Sequence, residues 1–236
     1  RVVPRAGAWV QINLFKEAIQ MPLGQGAVGL GVSYALAICY LLLMKLAGDI
    51  LTKQYPEEHK VVWDTRTISR VTILAAVSGA GAMIKIPGPA TTIALDAAAG
   101  YFAASYFGWP IGATVAAIGC FLANALGGFA SWLPMVPIYV CAMAFTVTIG
   151  VFVAKKTNIV LAIIVGTVVN TITCLGPWVV MIGPALMVAL LPSQLIGSAV
   201  NAAVGLTVAQ ALKSAQTHEK SDVEELVEPE DESFKM

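Results

Sequence analysis

The chain has 236 residues, 58% hydrophobic and only 12% charged, with a mean hydropathy of +0.79. Ordinary soluble domains carry roughly 25% charge, so the composition excludes a soluble enzyme and points to lipid. The formal net charge is zero, but the segment from Ser214 holds eight acids and two bases while the remainder holds six acids and twelve bases.

Residues 1–23 mix apolar and polar side chains. Trp9, Ile12, Phe15 and Ile19 fall near helical spacing, which predicts an N-terminal arm or an interfacial helix. Residues 24–50 form the first apolar stretch, an extra hydrophobic helix long enough to span once. Residues 51–66 (LTKQYPEEHKVVWDTR) read as a polar linker on the cytoplasmic side.

A more regular membrane core follows over residues 67–213. Helices are expected over 67–86, 91–107, 111–126, 132–154, 158–175 and 193–213, separated by Pro87-Gly88-Pro89, Gly108-Trp109-Pro110, Gly127-Gly128, Lys155-Lys156 and Gly176-Pro177. Residues 177–192, cut by Pro184, read as a re-entrant or interfacial piece. Residues 214–236 read as a solvated, disordered acidic tail. Trp109, Trp132 and Trp178 lie at expected helix ends, where an aromatic belt would place them. The fold expected is all-α and polytopic, a six-helix bundle plus the additional N-terminal hydrophobic helix.

Lysine and arginine set the orientation. With the start of the 67–86 helix inside, Arg66, Arg70, Lys155, Lys156 and Lys213 all become cytoplasmic and Lys85 faces out. The C-terminus is then cytoplasmic and the protein sits in the cell membrane.

Residues 86–212 carry three charges, Asp96, Lys155 and Lys156. A charged side chain at mid-bilayer costs about 2.5–3.5 kcal/mol or more, so Asp96 is the leading candidate for the working centre. The expected topology puts it about one turn into its helix from the outer side. Asn124, Asn170 and Asn201 fall on three other helices in the same outer half. Polar groups in hydrocarbon seek partners and should converge. They either glue helices together or line a small polar pocket open to the outside. Lys85 is the nearest candidate cation for Asp96, and Trp178, on an outer loop, is placed to cover a pocket.

The helix over 67–86 carries Ala75 and Gly79, then Ala76 and Ala80, two small-xxx-small pairs that let another helix approach closely. Cys39, Cys120, Cys141 and Cys174 lie in apolar segments without a CxxC pair, and His59 and His218 lie in polar ones. These read as free thiols and not as a metal site. No nucleophile–base pair, paired carboxylates or phosphate-cradling glycine loop is evident. The chain is therefore expected to be a non-enzyme without a cofactor and without a nucleic-acid partner.

Residues from about 66 to 213 resemble the substrate-binding S components of energy-coupling factor (ECF) vitamin transporters. The resemblance rests on Ala82-Met83-Ile84-Lys85-Ile86-Pro87 leading into Thr92-Ile93-Ala94-Leu95-Asp96, on Gly108-Trp109-Pro110-Ile111-Gly112-Ala113, and on Leu190-Leu191-Pro192 followed by Ala199-Val200-Asn201-Ala202-Ala203. It implies an S-component-like six-helix bundle that captures a vitamin or precursor. Partners would be a T-type transmembrane component, meeting Ala75, Ala76, Gly79 and Ala80, and two ATP-binding subunits that supply the energy. Residues 86–92 would gate the site. Asp96, Asn124, Asn170 and Asn201 would hydrogen-bond the ligand, with Lys85 and Trp178 beside them. The Leu95-Asp96 context resembles the branch that takes up α-ribazole, a cobalamin precursor, although that branch has His where this chain reads Gly119-Cys120-Phe121. The alternative is a non-catalytic structural subunit of a larger membrane complex that reuses the fold, which the extra N-terminal helix and acidic tail favour.

Overall fold

The computed structural model describes residues 23–89, 92–126, 135–181 and 184–227. The expected arm over residues 1–22, Trp132 and the last residues of the acidic tail lie outside the described residues. Among these residues the elements are α1 (Leu23–Gln54), α2 (Pro56–His59), α3 (Thr65–Met83), β1 (Ile86–Pro87), β2 (Thr92–Ile93), α4 (Ala98–Phe107), α5 (Trp109–Leu126), α6 (Val136–Lys156), α7 (Ile159–Met181) and α8 (Pro184–Val227). Segments of five of them, within α1, α5, α6, α7 and α8, are long and apolar enough to cross a membrane. The protein is an all-α polytopic membrane protein.

Local chemistry explains most boundaries. Asp64 starts α3 by accepting a 2.8 Å hydrogen bond from the Thr67 backbone N–H, an N-cap that satisfies one of the orphan donors of the first turn. Pro87 and Pro89 keep the chain from continuing as helix, and residues 86–87 instead pair antiparallel with residues 92–93, Ile86 opposite Ile93. At Gly108, φ of 105° breaks the chain between α4 and α5, a conformation glycine adopts without steric cost. Pro110 then falls in the first turn of α5, where its missing N–H is harmless.

Four expected boundaries differ clearly. The helix expected from Thr91 begins at Ala98, because residues 92–93 are taken by the hairpin and residues 94–97 are held by bonds to other helices. The helix expected to stop at Gly176-Pro177 runs through Pro177 to Met181. Residues 184–192 are not a separate re-entrant piece. They open α8, with Pro184 at its first position and Pro192 accommodated inside, which membrane helices tolerate where neighbours re-satisfy the backbone. α8 also continues past Ser214 to Val227, into the stretch expected as tail.

The ten-residue α4 sits at the centre, packed on α3, α5, α6 and α8. Its Tyr101 is 1% exposed and fills the space between Gly150 of α6 and Gly166 of α7. The main core joins Tyr101, Ala104, Ala116, Val147, Val151, Ala202 and Leu206. The remaining helices close around it, α3 on α5, α5 on α6, α6 on α7 and α7 on α8.

The extra helix α1 packs along α6 and places Leu51, fully buried, into the same core. Its other side is apolar and uncovered, with Ile38, Leu42 and Leu46 exposed, as a lipid-facing surface requires. A clasp holds its end. The Trp109 indole N–H donates to Thr52 Oγ1 at 2.9 Å, and its ring lies over Gly48, where a Cβ would collide with it. The Trp109 backbone N–H donates to His59 Nδ1 at 3.2 Å. Glu58 Oε2 accepts from both Lys155 and, at 3.2 Å, Lys213.

His59 is 1% exposed. Burial pushes its imidazole down from 6.5 to about 4, the pull of Glu58 opposes this, and Lys155 and Lys213 add to it. The unfolded chain therefore takes up this proton near pH 6.5 and the folded chain only near 4. The contribution of neutral His59 is complete above pH 6.5 and is lost as pH falls through that window. Stability at pH 5 is expected to be about 2 kcal/mol below that at pH 7. Unfolding of His59→Gln at both pH values checks this, since the variant should lose most of the difference whatever its absolute stability.

Candidate functional site

The end of the bundle opposite Lys155 and Lys213 collects the polar side chains. Asp96 lies immediately before α4, not inside it, and is half-buried. It stands next to the N-terminus of α4, where the positive end of a helix favours negative charge. The segment that carries it is wedged between three helices. From α3, Ser78 Oγ donates to the Asp96 carbonyl, and the Leu95 N–H donates to the Gly81 carbonyl at 3.1 Å. From α5, Gly119 leaves room for this approach. A Cβ there would run into Ser78 Oγ and lie 3.3 Å from the Asp96 carbonyl oxygen.

From α8 comes Asn201, 4% exposed. Its Oδ1 accepts from the Ala97 and Ala98 N–H groups at 3.0 and 2.9 Å. Its Nδ2 donates to the Ala94 carbonyl at 2.8 Å and to the Gly197 carbonyl at 2.9 Å. That uses both donors and both lone pairs of the amide. Asn201 is the cap of α4 supplied from another helix, and it fixes where the Asp96 backbone sits.

Asn170 of α7 is also buried. Its Nδ2 donates to Ser198 Oγ of α8 at 2.7 Å, and its Oδ1 accepts from the Cys174 thiol at 3.2 Å. Gln194 Nε2 reaches the same Ser198 hydroxyl at 3.4 Å. Thr173 Oγ1 lies 3.4 Å from Thr146 Oγ1 of α6, and Tyr40 of α1 donates to the Thr173 carbonyl at 3.4 Å. Asn124, half-buried, turns back on its own helix, its Nδ2 donating to the Cys120 carbonyl at 2.7 Å. Cys120 and Cys174 are both buried free thiols.

Lys85 is exposed on the linker after α3. Among the described residues the ion pairs are Lys45–Asp49, Lys155–Glu58 and Lys213–Glu58, so Lys85 and Asp96 do not form one. Trp178 falls in α7, with its side chain outside the described residues.

Sequence reasoning passed over Ser78, Ser198, Gln194 and Tyr40. Ser198 stands one helical turn before Asn201, a spacing that signals a shared face. Ser78 is the one hydroxyl in an alanine and glycine run. Tyr40 carried no such signal, since its role depends on α1 packing against α6 and α7.

The small-residue stripe of α3 divides. Ala75 and Gly79 are buried, and a Cβ on Gly79 would lie 3.3 Å from Leu122 Cδ1 of α5. Ala76 and Ala80 face outward beside Ile73 and Val77. The first pair packs the bundle internally and only the second is open to another chain.

In comparisons with known proteins, a family model described as "ECF-type riboflavin transporter, S component" matches residues 62–215, well over half of the chain. No curated protein and no solved structure matches it.

Proposed function

The chain belongs to the ECF-type riboflavin transporter S-component family, and from that premise we propose that its Asp96 end binds a vitamin built from a fused aromatic ring and a hydroxylated side chain. It is a substrate-binding subunit of a vitamin-type transporter, embedded in the membrane. The observation that supports the ligand reading is that one stretch of α8, Gln194 to Asn201, bonds both to Asn170 of α7 and to the segment that carries Asp96.

Riboflavin is the first ligand to test, because the matched family is named for it. α-Ribazole is the second, and the family match gives that branch no particular support. Both join a dimethylated fused ring to a chain or ring of hydroxyls, which suits a carboxylate and amides set among apolar helices. Asp96 accepts from ligand hydroxyl or ring N–H groups, and Asn170 and Asn124 supply further amide contacts. Lys85, exposed on the linker after α3, borders the entrance. Asn201 acts by positioning the segment that carries Asp96. Specificity follows because a ligand lacking the matching polar group leaves a buried carboxylate or amide unpaired.

The outward pair Ala76 and Ala80 is the contact for a T-type component, with two ATP-binding subunits as the energy source. Lys155, Lys156, Lys213 and the C-terminus lie on the cytoplasmic side of the cell membrane.

Purified full-length protein in lipid nanodiscs should quench riboflavin fluorescence saturably. Asp96→Ala should weaken that affinity by about tenfold or more, the value of a lost charge-assisted hydrogen bond, with an unchanged unfolding temperature. An Asp96→Ala protein that binds as tightly as the parent removes Asp96 from the site.

A second reading has one observation behind it. The clasp of α1 and α2 on Trp109, Lys155 and Lys213 is an addition to the six-helix core, and a subunit that serves a larger complex as a structural part would use such an addition for attachment. Co-purification separates the two. A T-type protein with two ATPases supports transport, and a stable set of unrelated subunits supports the structural role.

A further inference from the structure

The end of the bundle that carries the lysines is not closed. A cavity of about 320 Å³ opens there between α4, α6, α7 and α8. Lys155 and Lys213 line it, together with Ser105, Gln210, Ser214 and Thr217. Its floor is apolar, formed by Val151, Ala154 and Ile159. No acid is among its lining residues.

The charge balance of this place is uneven. Both ammonium groups reach the same atom, Glu58 Oε2, from the side of α2. One carboxylate faces two ammoniums, so one positive charge is left over in a concave and partly apolar surrounding. The ammonium groups have three donors each, and the Glu58 oxygen takes one from each. Ile159 is the first residue of the 23-residue α7; Asn158 Oδ1 caps that turn by accepting from the Leu161 N–H at 2.8 Å, so this helix end adds its dipole to the space and no free donor from Leu161. Ser105 of α4 and Gln210 and Ser214 of α8 add neutral donors around the rim, whereas the Thr217 hydroxyl donates to the Lys213 carbonyl.

Two lysines, a long helix N-terminus and hydroxyl donors around one cavity are the complement of a phosphate group, which offers several acceptor oxygens and at least one negative charge. We propose that this cavity is a binding site for a phosphate group, held by Lys155 and Lys213 on the side away from Glu58. The volume exceeds what a bare phosphate needs, and the apolar floor accepts the carbon skeleton attached to it. A lipid headgroup and a soluble phosphate share this chemistry. The site is distinct from the Asp96 cluster, since about 18 Å of α8 separates Asn201 from Lys213.

The test uses the full chain in nanodiscs of phosphatidylcholine, with unfolding temperature as the readout. In one arm inorganic phosphate is titrated against sodium chloride of equal ionic strength. In the other, part of the phosphatidylcholine is replaced by phosphatidylglycerol without added phosphate. Stabilisation by inorganic phosphate assigns a soluble ligand, and stabilisation by phosphatidylglycerol assigns a headgroup. Either should weaken about tenfold in apparent affinity in the double variant Lys155→Gln/Lys213→Gln, as expected when charge-assisted contacts are lost, and should persist in Lys156→Gln.

Glu58→Gln provides a check that does not depend on the double variant folding. Releasing two ammoniums from their carboxylate should tighten the response. Stabilisation in neither arm overturns the site, as does a response that Lys155→Gln/Lys213→Gln leaves intact or that Glu58→Gln weakens.

Discussion

Replacing Asn201 by leucine is expected to lower stability by about 3–5 kcal/mol and to abolish ligand binding. Leucine is close in size and suits the bundle interior, so lost volume is not the cause. The Ala97 and Ala98 N–H groups and the Ala94 carbonyl lose their partner, and each buried polar group left unpaired costs about 1–3 kcal/mol. The Gly197 carbonyl keeps its place in the helix ladder and adds little. With its cap gone, the first turn of α4 frays, and Asp96 moves with it. Unfolding in nanodiscs measures the first effect and riboflavin titration the second. A leucine variant within about 1 kcal/mol of the parent would show that water takes over these bonds, and that the segment is wetter than its burial indicates.

Gly205→Ala is the second large effect, for a related reason. Gly205 stands one turn beyond Asn201 on α8, where that helix touches α4. A Cβ there would press on the Ala98 carbonyl, lie 2.6 Å from Tyr101 Cβ and lie 3.0 Å from the Phe102 backbone nitrogen. Most of these atoms are backbone and cannot rotate away, so the helices must separate. Overpacking of this kind costs about 1–3 kcal/mol, and here the separation also stretches the Asn201 bonds. The total expected is about 3 kcal/mol. Gly31→Ala on α1 makes the matching control. Nothing lies within 4 Å of its Cβ position, and alanine is the better helix former by about 1 kcal/mol. The two substitutions, identical in chemistry, should shift unfolding temperature in opposite directions. If both are neutral, α4 and α8 are not in the close contact that Gly205 permits.

Asp96 stood out in the sequence because a lone acid in a long uncharged region is costly unless it has work to do, and the segment that carries it is held by Ser78 of α3 and Asn201 of α8. The all-α membrane fold was equally legible, since apolar length is a direct consequence of bilayer thickness. Two kinds of information were not. The first is which bonds an amide makes. Asn201 and Asn170 are alike in sequence, yet one is spent wholly on backbone and the other on side chains. The second is which face of a helix turns inward. On α3, Ala75 and Ala76 are about 100° apart around the axis, so two overlapping small-residue pairs must point in different directions. The sequence pattern alone does not say which pair is covered. Pro177 and Pro192 misled for a different reason. In water each marks a helix end, but in lipid an interrupted helix leaves backbone groups with nothing to bond, and continuing through proline costs less.

α8 has a length that its place in a membrane does not require. It runs from Pro184 to Val227, about 66 Å at 1.5 Å per residue, against about 30 Å of hydrocarbon. The stretch beyond Asn201 alone measures about 39 Å, and it is rooted in the same residue that holds the Asp96 segment. Such a rod converts rotation into displacement. If the bundle tilts by about 10°, the far end of that stretch sweeps about 7 Å sideways. A reporter group near Val227 would therefore act as a pointer that reads small reorientations of the buried bundle.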